Sequence, residues 1–100
     1  MIRIESNSHG GRTWIARITG KDPKFGFNRE FVRKHDVSVA RSNVYRRLEF
    51  YLETEEGAVY EYRDLNGSAR GGESGFWIVR GGELHQISRQ EVLGLFAEAK

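Results

Sequence analysis

The sequence predicts an α+β domain, mainly antiparallel β, with about six strands in hairpin order forming a sheet or a small partly open barrel and one C-terminal helix. Three observations lead there. Short runs of alternating apolar and polar residues are separated by glycine-containing turns. A Gly81-Gly82 pair stands between two apolar runs, and a Ser88-Arg89-Gln90-Glu91 box opens an apolar stripe of helical period.

The chain starts with Ile2 and Ile4 alternating with Arg3 and Glu5, the pattern of a half-buried strand. After NSHGG, the run RTWIARIT sets Trp14, Ala16 and Ile18 on one face. The two runs read as a hairpin. Residues 20–45 carry two readings. Asn28 is placed to cap a short helix over 29–35, with Phe27 and Val32 as a hydrophobic staple, whereas VSVA and NVYRRLEF favour strands. The reading taken is a short helix followed by a strand.

The stretch RLEFYLETEEGAVYEYRDL reads as a hairpin closed by Glu55-Glu56-Gly57, with Gly57 in the left-handed position. That register sets Phe50 against Tyr62, Leu52 against Tyr60 and Thr54 against Ala58, all on one side. A slip of one residue would place Leu52 against Glu61 and scatter the apolar set. Residues 66–75 hold four glycines and no large apolar side chain, so they read as a loop. Next comes the Gly81-Gly82 hairpin, pairing Arg80 with Glu83, Val79 with Leu84, Ile78 with His85 and Phe76 with Ile87. Its strands are apolar on both faces, which predicts a central or doubly covered position. In the final helix Val92, Leu95, Phe96 and Ala99 form one stripe, and Gly94 is expected to allow close approach to the sheet.

One hundred residues make a single domain, 1–100. A hydrophobic content of 38% with twelve aromatic residues is enough for a folded domain and does not suggest disorder. The absence of cysteine excludes a disulfide framework, a thiolate metal site and a thiol nucleophile. MIRIESN lacks the basic and apolar runs of a secretory leader, and no stretch reaches the roughly 20 apolar residues of a membrane span. The expectation is a cytoplasmic protein with no membrane partner.

Charge supplies the functional clue. Arginines outnumber lysines twelve to four. Coding bias accounts for this as readily as phosphate recognition does. Residues 21–47 hold eight Lys or Arg against three acids, and residues 48–66 hold six acids against one Arg. Within the basic block, KDPKFGFNREFVRK carries three of the six phenylalanines. It does not meet the RNA-recognition signature, because no glycine follows Lys24 and Asn28 stands where a β-branched residue is needed. The looser physical pattern remains: rings for base stacking beside cations for phosphates. Anchoring of Phe27 and Phe31 in the core is the competing account of the same rings.

No catalytic or cofactor constellation is present. His9, His35 and His85 are far apart and lack metal-ligand spacing, so no metal or cofactor is expected. His35-Asp36 beside Arg33 has the residue types of a nuclease dyad without the rest of a site. Arg70-Gly71-Gly72 is a single RGG element in a flexible loop. The sequence therefore points to a small noncatalytic binding protein that meets DNA or RNA through the phosphate backbone. Its candidate contacts are Lys24, Phe25, Phe27, Arg29, Arg33, Lys34, Arg41, Arg46 and Arg47. The alternative is a protein-interaction or inhibitor module, including a homodimer in which the acidic stretch of one copy meets the basic stretch of another.

Overall fold

The computed structural model describes residues 1–9, 13–24, 26–32, 34–39, 45–64 and 74–97, with 5–9, 13, 34–39, 45–49 and 64 described in backbone only. Eight strands and a helix follow in order: β1 (Ile2–His9), β2 (Thr13–Asp22), β3 (Gly26–Phe31), β4 (Lys34–Val39), β5 (Tyr45–Leu52), β6 (Val59–Asp64), β7 (Ser74–Arg80), β8 (Glu83–Ile87) and α1 (Arg89–Ala97). All strand pairs are antiparallel. They form a three-stranded sheet, β1-β5-β4, and a five-stranded sheet, β3-β2-β6-β7-β8, neither closed into a barrel. The class expected from sequence holds, with more strands than foreseen.

The extra strands come from 20–45, where the short helix over 29–35 does not form. Residues 26–31 instead pair with β2, and the pairing continues as the Val32 N–H donates to the Ile15 carbonyl at 2.8 Å. An isolated helix of two turns is marginal in water. The strand gains a ladder and buries Phe27 to 2% exposure. A register shift between Ile18 and Gly20 marks a bulge in β2, and the Thr19 hydroxyl donates there to the Asn28 carbonyl.

Two expected hairpins are replaced by longer-range pairings. β1 pairs with β5 rather than β2, which sets Ile2 opposite Leu52 and Ile4 opposite Phe50. β5 and β6 do not pair either. The residues assigned to their common face nevertheless meet: Phe50, Leu52, Ala58, Tyr60 and Tyr62 share one core cluster with Ile15 and Val79. They pack sheet against sheet instead of side by side in one ladder. The intervening turn explains the difference. Gly57 lies at φ +86° and the Ala58 N–H donates to the Glu55 carbonyl at 3.1 Å. The Gly57 N–H then bonds the Val79 carbonyl, and the Val79 N–H bonds the Ala58 carbonyl, so the chain leaves the turn along β7.

The β7–β8 hairpin has the expected register, from Arg80 opposite Glu83 to Phe76 opposite Ile87. Gly81 and Gly82 both take positive φ, 63° and 77°, as a two-residue primed turn requires. The capping box also forms: the Glu91 N–H donates to Ser88 Oγ at 3.0 Å and the Ser88 N–H to Glu91 Oε1 at 3.3 Å. The helix turns a different stripe inward, however. Val92, Leu93 and Phe96 pack on the sheet, while Leu95 is 46% exposed. Ala99 lies outside the described residues. Nothing stands within 4 Å of a Cβ built on Gly94, so that glycine does not serve close approach.

The five-stranded sheet is thus covered on both faces. One face carries Ile15, Tyr60, Tyr62 and Val79 against Phe50 and Leu52 of the smaller sheet. The other carries Ile18, Phe27, Val59, Phe76, Ile78 and Ile87 against α1. The alternation of Trp14, Ala16 and Ile18 continues this second face along β2.

Candidate functional site

Beside the helix, the second face changes character. Successive strands carry Arg63 (β6), Trp14 (β2) and then Arg29 and Phe27 (β3), aligned by the pairings Trp14↔Arg63 and Ile18↔Arg29. The guanidinium carbons of Arg29 and Arg63 each lie 5.9 Å from the Trp14 ring centre. Arg29 is also 5.8 Å from the Phe27 ring, and Arg89 of α1 stands 5.0 Å from that same ring. Cations and rings therefore alternate in a row, Arg63, Trp14, Arg29, Phe27, Arg89, each contact being attractive through the negative ring face.

The row is fixed from beneath by Glu61, the one buried charged residue among those described, at 3% exposure. Arg29 Nε donates to its Oε1 at 2.7 Å and Arg63 Nε to its Oε2 at 3.4 Å. Arg29 Nη1 reaches the Phe27 carbonyl at 3.4 Å. A buried carboxylate shared by two guanidiniums holds both in orientation. Three guanidiniums against one carboxylate leave the row electropositive. Exposure grades along it: the Arg29 side chain is 22% exposed and that of Arg63 44%, and Arg89 is exposed as well. At the rim, Phe31 ends β3 with its ring 5.3 Å from Trp14 at an angle of 76°, and the residue is 64% exposed.

The described contact residues expected from sequence are divided between the two sheets. Lys24 is exposed in the β2–β3 turn, its N–H donating to Asp22 Oδ1. The same turn brings Gly26 so close to Arg89 that an added Cβ would lie 3.3 Å from Nη2. Phe27 is a core residue, edge-on to Phe76 at 5.5 Å, and its ring is not open to a ligand. Arg29 sits in the row. Lys34 belongs to β4 and Arg46 and Arg47 to β5, so they lie in the other sheet. Phe25, Arg33 and Arg41 fall outside the described residues. Within β4, a register shift between Lys34 and Asp36 marks His35 as a bulge position.

The residues that sequence reasoning missed are Trp14, Arg63, Arg89 and Glu61. Glu61 did carry a signal, since the alternation of β6 sets it on the face of Val59. The neighbours of Trp14 carried none, because they come from pairings that local patterns do not define.

The opposite face holds an open cavity of about 420 Å³ lined by Met1, Arg17, Phe31, Tyr51, Leu52 and Tyr60. Two of its polar groups have partners within the chain. Arg17 Nη2 donates to Glu55 Oε2 at 2.7 Å, which raises the pKa of the guanidinium. The Tyr60 hydroxyl donates to the Glu53 carbonyl, and burial pushes its pKa up. Among the described residues no three His, Cys, Asp or Glu side chains gather as metal ligands, and no helix is long and apolar enough to cross a membrane.

No protein-family model, curated protein or solved structure matches this chain.

Proposed function

We propose that this protein is a small noncatalytic binding module that holds nucleic acid by its phosphates on the β6–β2–β3 portion of the five-stranded sheet. The supporting observation is the alternating row of three guanidiniums and two rings with a single carboxylate beneath it. Arg63 and Arg89, the more open members, meet phosphate oxygens, with Lys24 extending the track along the adjoining turn. Arg29 is mainly the rigid centre. With nucleic acid as partner, the protein works in the cytoplasm.

Anisotropy titrations with labelled short oligonucleotides over a range of salt test this. For three or four phosphate contacts, log affinity falls against log salt with a slope of roughly −2 to −3.6. Replacing Arg63 and Arg89 together by Gln is expected to make that slope shallower by roughly 1.4 to 1.8. Flat anisotropy at low salt overturns the reading.

A second reading is a homodimer, and it draws on the smaller sheet. Its outer strands β1 and β4 each have an edge without a strand partner among the described residues, open to a second copy. Pairing of acidic with basic stretches between copies has less to draw on, since Glu55 and Glu61 are already bonded within the chain. Sedimentation at several protein concentrations separates a monomer from this dimer.

A further inference from the structure

Phosphates are common to every form of nucleic acid, so the form is decided by whatever meets the bases. Resting on the phosphate reading, we propose that the site is built for single strands, with an unpaired base stacked on Phe31. Three large apolar residues are exposed among those described, Met1, Leu95 and Phe31. Of these, only Phe31 adjoins the row of cations and rings. It ends an edge strand, paired on one side with Ala16 and bordering the cavity of the opposite face, and Trp14 props it edge-on at 5.3 Å. The ring is positioned without being buried, which is how a stacking platform differs from a core aromatic.

The surrounding shape supports a single strand over a duplex. Base readout of a duplex is commonly made by a helix or a two-stranded ribbon that enters the major groove. Here α1 lies with Val92, Leu93 and Phe96 down on the sheet, and the row itself runs across strands that form one continuous surface. A duplex keeps its base faces inside its own stack and offers that surface only phosphates. A single strand offers phosphates to Arg63 and Arg89 and a free base face to Phe31. Any base satisfies the contact, since every base has a π-face, so little sequence preference is expected.

Three probes of equal length test this: a thymidine single strand, a duplex, and a single strand of abasic residues that keeps the sugar-phosphate chain. The wild type is expected to bind the thymidine strand more tightly than either other probe. Phe31→Ala is expected to weaken binding of that strand by roughly 5- to 150-fold and to leave the abasic strand unaffected. Phe31→Leu keeps apolar bulk without a ring face and should behave as Phe31→Ala. Equal affinity of the wild type for thymidine and abasic strands overturns the stacking inference and leaves phosphate binding standing. So does an unchanged affinity of Phe31→Ala for the thymidine strand. Failure of all three probes to bind overturns both.

Discussion

The Glu61 carboxylate is shared unequally, and the inequality has a measurable consequence. Arg29 approaches it at 2.7 Å with a side chain 22% exposed, whereas Arg63 stands at 3.4 Å and is 44% exposed. Removing the nearer partner strands a carboxylate that water hardly reaches, and it also removes stem packing between Trp14 and Phe27. Arg29→Ala is expected to cost about 3 kcal/mol, and Arg63→Ala about 1 kcal/mol or less. Urea unfolding of the two variants measures both, and equal costs would refute the assignment of Arg29 as principal partner. Little of this was legible in advance. An arginine and an acid 32 positions apart meet only because β2 sits between β3 and β6, and no local pattern encodes that order.

Among the elements, those closed by local chemistry were readable and those closed by distant partners were not. Gly81-Gly82 and Ser88-x-x-Glu91 each satisfy backbone requirements within a few residues, so the final hairpin and the helix cap follow directly. β1 and β5 depend on partners chosen by competition between similar apolar strands, and there the nearest partner in sequence lost. The β5 and β6 residues were assigned to the correct common core although not to the correct ladder, because alternation fixes a face more firmly than it fixes a neighbour. The helix stripe was misphased because Leu93 and Leu95 both fit an apolar pattern, and only packing selects Leu93. Gly94 follows from the same geometry. It is exposed, has open space at its Cβ and adopts no left-handed φ. Gly94→Ala is therefore expected to stabilise the protein by about 1 kcal/mol, seen as a raised midpoint in thermal or urea unfolding. A neutral or destabilising effect would mean that α1 packs more tightly than the open space at this position implies.

For the whole molecule, the two sheets give an elongated body of 51 × 28 × 20 Å with a Cα radius of gyration of 14.5 Å. A compact chain of this length has about 13 Å. The excess follows from register. Ile2 opposite Leu52 packs on the larger sheet, while the ladder continues seven residues further to His9 opposite Tyr45, roughly 23 Å along the strand. Small-angle scattering is expected to give the larger radius, and a value near the compact one would place the smaller sheet folded back on the body. The same division accounts for the fate of the basic segment. Its described residues up to Phe31 join the larger sheet and those of β4 and β5 the smaller, so a charge block continuous along the chain is shared between two sheets.

The row of cations and rings draws its members from positions 14, 27, 29, 63 and 89, almost the full span of the polypeptide. During synthesis, its last rung is unavailable until the segment carrying Arg89 has emerged from the ribosome. A product that stops after β8 has the eight described strands but lacks the contact of Arg89 with the Phe27 ring. The outermost cation of the row is thus set in place by the first residue of the helix, the last element of the fold to be made.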